Sequence, residues 1–141
     1  MAKLKIAFAG LGSRGNAYAE ALKHFEDRIE FTAAADIIPE KLEMFSKKYG
    51  IAPEMQFNSA EEMLKADKLA DIMIIATLDR QHYGHAMPAL EKGYHLLLEK
   101  PISPELNECI EIAELANKKG LNVVVCHVLR YTPFYRKMKE I

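Results

Sequence analysis

Short runs of β-branched and apolar residues recur along the chain, at Leu4–Ala9, Ile29–Ala35, Ile72–Ala76, Tyr94–Leu98 and Val123–Val128. A weaker run lies near Glu54–Phe57. Helical patterns fill the gaps between them. Tyr18, Leu22 and Phe25 share one face, as do Leu42, Phe45 and Tyr49. Tyr83, Ala86, Met87 and Leu90 follow i, i+3, i+4, i+7, and Leu106, Cys109, Ile110, Ala113 and Ala116 do much the same. Strand–helix alternation at this spacing predicts βαβ units and a mainly parallel sheet. Ile72–Ala76 and Val123–Cys126 are apolar at consecutive positions, which predicts strands covered by helices on both faces.

The punctuation agrees. Ser59-Ala-Glu-Glu62 has the form of a capping box. Ser103-Pro104 and Thr132-Pro133 each read as an N-cap followed by proline at the first helical position. Gly50, Gly93 and Gly120 suit the left-handed residue just past a helix end.

Composition narrows the class. The chain has 141 residues, half of them apolar and 28% charged, which suits one folded domain over residues 1–141. A formal net charge of −1 gives no electrostatic footprint for nucleic acid or an anionic membrane. No apolar run approaches the roughly 18 residues of a transmembrane helix. The opening residues lack the apolar stretch of a signal peptide, so a cytoplasmic location is the expectation. Cys109 and Cys126 read as reduced core residues, and no metal-ligand spacing occurs.

The first candidate chemistry is Gly10-Leu-Gly12-Ser-Arg-Gly15, a G-x-G-x-x-G run between the first strand and the first helix. Gly10 suits the tight turn, Gly12 lets backbone approach a pyrophosphate, and Gly15 lets the helix pack closely. The helix N-terminus at Ser13–Asn16 then faces the phosphates. Glycines also serve plain turns, so the motif alone does not decide. Asp36 adds weight. It ends the second strand about 20 residues after the glycines, where a carboxylate accepts from a ribose diol. It would repel the 2′-phosphate of NADP, and Ile37 and Ile38 offer no guanidinium to hold that phosphate, so NAD is the preferred cofactor. The competing reading has Asp36 cap the helix that begins at Pro39. Together these features predict a three-layer αβα, doubly wound, Rossmann-type fold with strand order 3-2-1-4-5-6.

Two motifs remain. Ala76-Thr77-Leu78-Asp79-Arg80-Gln81-His82 follows the fourth strand, and Leu98-Glu99-Lys100-Pro101 the fifth. Lys100, just past the carboxyl end of a parallel strand, stands where ligands bind. There it could hydrogen-bond a substrate hydroxyl or help move its proton. A solvated surface lysine is the alternative.

With these residues in view, the chain resembles the Gfo/Idh/MocA oxidoreductases. The resemblance rests on the Gly10–Gly15 turn, Ala35-Asp36 before Pro39-Glu40-Lys41, Ala76-Thr77 through His82, Gly93-Tyr94-His95 leading into Glu99-Lys100-Pro101, and Arg130-Tyr131-Thr132-Pro133. It covers that family's N-terminal cofactor domain only. The resemblance implies a substrate domain after residue 141, which also forms homo-oligomer interfaces. It implies Gly10, Gly12, Ser13 and Arg14 at the pyrophosphate and Asp36 at the adenosine ribose. Thr77, Leu78, Asp79 and His82 would line the middle and nicotinamide side. Glu99, Lys100 and Arg130 would stand at the nicotinamide end, with Lys100 catalytic. Leu78-Asp79 replaces the Pro-Asn common in the family, so side-chain contacts there differ.

The family's Asp/His pair belongs to the second domain, so no residue here takes those roles. His127 reads as a packed polar residue, His24 and His95 as ordinary helix-end and strand residues. His85, on the helix face away from Tyr83 and Met87, is expected to be solvated. The implied activity is hydride transfer between NAD(H) and a sugar, polyol or related secondary alcohol, with the 141 residues alone inactive. Two other functions fit the same domain: an NAD-dependent glycosidase and a non-catalytic NAD-sensing module.

Overall fold

Two strands rich in small and β-branched residues form the middle of the sheet. They are β1 (Leu4–Ala9) and β4 (Ile72–Ile75), paired in parallel. β2 (Ile29–Ala35) lies on the other side of β1, and β3 (Gln56–Phe57) lies beyond it. β5 (His95–Leu98) and β6 (Val123–Val125) extend the sheet past β4. The computed structural model describes residues 2–141, and its six parallel strands run 3-2-1-4-5-6 as expected. The helices are α1 (Ser13–Leu22), α2 (Pro39–Tyr49), α3 (Ala60–Lys65), α4 (His82–Glu91), α5 (Leu106–Lys119) and α6 (Pro133–Glu140).

Side-chain alternation along the strands sorts the core into two layers. Ile6, Phe8 and Ile74 point to one face, where they meet Ala19 of α1 and Leu42 and Phe45 of α2. Phe8 stacks edge-on against Phe31 and tilts against Phe45, with centroids 4.8 and 5.0 Å apart. Ala7, Ala9, Met73 and Ile75 point to the other face, against Met63 of α3, Ala86 and Leu90 of α4, and Ile112 of α5. Buried Tyr94 closes this layer, its hydroxyl accepting the Leu69 N–H at 2.7 Å.

Several local expectations need correction. The weak run near Glu54–Phe57 forms a 3₁₀ turn at Pro53–Met55 and only two residues of strand. Val123–Cys126 is not covered on both faces: β6 is the sheet edge, and Val124 stands exposed. α5 starts at Leu106, not after Ser103, because Glu105 is extended and Ser103 Oγ accepts the Glu105 N–H at 3.0 Å. At α3, Ser59 Oγ caps the Glu62 N–H at 3.1 Å, while the Glu62 carboxylate reaches the Asn58 N–H at 2.8 Å, one residue short of a full capping box. Gly50 and Gly120 end α2 and α5 in the left-handed conformation, as expected. Both cysteines carry free thiols and are half-buried, not core.

Candidate cofactor site

The carboxyl ends of the strands and the turn after β1 enclose a cleft of about 270 Å³. The glycines of that turn divide the work. Gly10 sits at φ +90°, and a Cβ there would lie 2.5 Å from the Ala76 carbonyl oxygen. A Cβ on Gly15 would lie 2.1 Å from the Gly10 carbonyl oxygen, so α1 approaches the turn backbone itself. A Cβ on Gly12 would meet no atom within 4 Å; it would project into open space. Gly12 is also the N-cap of α1 and offers no side-chain acceptor, and the first turn holds no acidic residue. The first-turn N–H groups are left for an anion. Asn16 braces the turn by donating to the Leu11 carbonyl at 2.7 Å.

Asp36, at the end of β2, faces this turn across the cleft. Its Oδ2 accepts the Leu11 N–H at 2.7 Å, and its Oδ1 accepts the Ile38 N–H at 2.9 Å. The capping alternative is thus partly true, since Ile38 is the N-cap of α2. Each carboxylate oxygen still has a lone pair to spare. Ile37 and Leu78 are largely exposed, and with Ile38 they give the cleft apolar walls.

The opposite wall comes from the segment after β4. Thr77 Oγ1 lies 3.0 Å from His85 Nδ1, and His85 Nε2 lies 2.9 Å from Glu61 Oε1. His85 is therefore not solvated; it is 3% exposed. α4 is flanked by α3 as well as α5, so its second face is covered too. His82 does not line the cleft. It is wholly buried beneath it, with Nδ1 2.6 Å from the Pro101 carbonyl and Nε2 3.2 Å from that of Thr77. It ties the loop after β5 to the loop after β4. Asp79 opens an exposed 3₁₀ turn ending at Gln81, whose side chain accepts the Leu78 N–H at 3.2 Å.

At the far end, Glu99 is buried and Lys100 is exposed. Arg14 does not extend into the cleft. Its Nε donates to Glu99 Oε1 at 2.7 Å and a terminal nitrogen donates to Tyr18 at 2.9 Å. Tyr18 in turn donates to Glu99. Burial pushes the Glu99 carboxyl up, but hydrogen bonds from Tyr18 and Arg14 outweigh it and leave the group below its ordinary range. Ser13 opens α1 and is exposed. Arg130 lies in the 3₁₀ turn Val128–Tyr131, exposed, and His127 beside it is exposed, not packed. Among the described residues no cluster of His, Cys, Asp and Glu has metal-binding geometry.

The oxidoreductase family with an NAD-binding Rossmann fold, GFO_IDH_MocA, matches residues 4–127. The chain belongs to that family. An inositol 2-dehydrogenase of Saccharopolyspora erythraea is 26% identical over 139 residues, 98% of this chain and 40% of the relative. A glycosyl hydrolase family 109 protein of Shewanella pealeana is 27% identical over 138 residues, 93% of this chain and 30% of the relative. The WlbA dehydrogenase of Chromobacterium violaceum, solved with NADH and UDP-GlcNAcA, superposes with a TM-score of 0.85 at 26% identity, covering 98% of this chain and 39% of that one. The chain thus spans 30–40% of the length of these proteins.

Within this Gfo/Idh/MocA cofactor domain, Gly10, Gly12, Asp36, Thr77 and Leu78 line one cleft. Lys41, Glu61, Gln81 and His85 line it as well, and sequence reasoning missed them. Lys41 carried a signal, lying one turn past Asp36 on α2. Glu61 and His85 carried none, because their pairing joins two helices 24 residues apart in sequence.

Proposed function

We propose that this domain binds NAD in preference to NADP and serves a dehydrogenase acting on a secondary alcohol of a sugar or polyol. The carrying observation is Asp36, held by two backbone N–H groups with its carboxylate on the cleft. That carboxylate suits a ribose diol and opposes a 2′-phosphate. The turn fits the group: Gly12 leaves room that a Cβ would fill, and the uncapped start of α1 supplies N–H groups to a pyrophosphate. Ser13 and Arg14 stand at the same turn, where Arg14 would have to release Glu99 to reach a phosphate. Calorimetric titration with NAD and with NADP tests the preference; tighter binding of NADP contradicts it.

When bound, the nicotinamide supplies the hydride acceptor or donor. Lys100 stands exposed past the end of β5, where its ammonium donates to the substrate hydroxyl, stabilises the developing alkoxide and lowers its pKa. The proton passes to a base outside these residues, in a substrate domain that follows residue 141. Glu99 and Arg130 border the nicotinamide end. Thr77 and Leu78 line the middle of the cofactor, while Asp79 stands at its rim. The UDP-sugar bound to the WlbA dehydrogenase supports a sugar-like substrate. Lys100→Met in the longer protein is expected to abolish most turnover, and near-normal turnover contradicts the role.

The family 109 hydrolase among the relatives favours one second reading, a glycosidase that uses NAD without net reduction. NADH accumulation, followed by absorbance, separates the two: a dehydrogenase accumulates it and such a glycosidase does not.

A further inference from the structure

We propose that His85 is a positioning residue of the cofactor cleft: bridging Glu61 and Thr77, it fixes the Thr77 hydroxyl as a hydrogen-bond acceptor toward the bound dinucleotide. The inference rests on the reading of the cleft as an NAD site. An ionised carboxylate only accepts, so the His85 nitrogen 2.9 Å from Glu61, Nε2, must carry the hydrogen. We take the ring to be neutral, so that Nδ1 is bare and accepts; an imidazolium would donate from Nδ1 as well. With Nδ1 bare, Thr77 Oγ1, 3.0 Å away, spends its one O–H on that nitrogen. Its lone pairs are left for the cleft, and Thr77 Oγ1 makes no other hydrogen bond among the described residues. A hydroxyl or N–H of the ligand meets an oriented acceptor there instead of a freely rotating hydroxyl.

Burial makes the arrangement strict. The His85 ring is 3% exposed, so water does not compete for either nitrogen. Glu61 is well exposed on its outer side yet stays ionised: the hydrogen bond from His85 is the chief cause that holds its carboxyl down, at about 2. α3 and α4 thereby act as a rigid backing for one threonine.

Substitutions at 85 separate the two halves of the bridge. Asparagine places an amide near Nδ1 and keeps an acceptor for Thr77; glutamine reaches toward Glu61 and withdraws from Thr77. NAD affinity, measured by calorimetry, is expected to fall about tenfold in Thr77→Val and in His85→Gln. His85→Asn and Thr77→Ser are expected to stay within about threefold of the wild type. The double variant His85→Gln/Thr77→Val is expected to bind no worse than about twofold below Thr77→Val alone, because the histidine acts through the hydroxyl. Losses that multiply to about a hundredfold, or wild-type affinity in His85→Gln, overturn the proposal. Imidazole nitrogen NMR of the unliganded chain gives a readout independent of binding. The neutral Nε2–H tautomer at His85 is expected, and the Nδ1–H tautomer or a doubly protonated ring overturns the proposal. A wild-type chain that takes up no NAD overturns the cofactor reading and the positioning with it; normal NAD binding with the wrong tautomer or multiplying losses overturns the positioning alone.

Discussion

Asp36 Oδ2 accepts the backbone N–H of Leu11 at 2.7 Å, so the carboxylate that ends β2 and the glycine turn that follows β1 are one unit. A second bond, from the Ile38 N–H at 2.9 Å, fixes the other oxygen. Asp36→Ala is expected to cost roughly 1–3 kcal/mol of stability, since two backbone donors lose a charged acceptor. NAD binding is expected to weaken by at least about tenfold. Asp36→Asn keeps the size but removes the negative charge, so the gap between NAD and NADP affinities is expected to narrow. Urea unfolding and calorimetry on the three proteins check both effects.

Gly10 and Gly15 hold the turn against its neighbours. Gly15→Ala sets a methyl 2.1 Å from the Gly10 carbonyl oxygen, and Gly10→Ala sets one 2.5 Å from that of Ala76 at a strained φ of +90°. Each is expected to destabilise the fold by about 1–3 kcal/mol or more. Gly84→Ala, on α4 with no atom within 4 Å of the added Cβ, is the control and is expected to melt at or above the wild-type temperature. Thermal melts followed by circular dichroism distinguish them.

Tyr94 is 1% exposed and its hydroxyl accepts the Leu69 N–H at 2.7 Å. Tyr94→Phe leaves that N–H without its acceptor, and a loss of about 1–3 kcal/mol is expected. Tyr94 precedes the amino end of β5 whereas the cleft lies at the carboxyl ends of the strands, so NAD affinity is expected to stay within about twofold of wild type. Denaturant midpoints and titrations on the same sample test the pair of outcomes.

The carboxyls of Glu61 and Glu20 are both held at about 2, below their ordinary 4.5, by hydrogen bonds from His85 and from Lys48 respectively. A carboxyl depressed in the folded state stabilises it above the unfolded pKa. That contribution fades as the pH falls from about 4.5 to about 2. Glu61 is mostly solvent-exposed, so screening leaves its share under about 1 kcal/mol. Urea midpoints measured between pH 2 and 6 are expected to fall with acid, and less steeply in Glu61→Gln.

Much of this was legible in the sequence because the signals are local. β1 and β2 end where Gly10 and Asp36 stand, and Gly10 and Gly15 take the tight-turn and close-packing roles their spacing assigns. What was not legible depends on partners far away in the chain. Arg14 sits in the glycine turn in sequence, yet its guanidinium finds Glu99, 85 residues on. A helical wheel assigns α4 one buried face, but α3 and α5 cover two, so His85 and His82 go inside. At the edge, three consecutive valines carry no sign that β6 has a strand on one side only.

If the cleft is an NAD site, backbone at Gly12 meets the pyrophosphate. Calorimetric titration of the wild type and of Gly12→Ala, with melting temperatures taken alongside, decides this contact. The expected result is one NAD per wild-type chain, no measurable binding in Gly12→Ala, and a stability loss of no more than about 1 kcal/mol in the variant, since the added methyl meets nothing within 4 Å and only the poorer N-cap counts against it. A Gly12→Ala protein that binds NAD as well as the wild type contradicts a pyrophosphate seated on this turn.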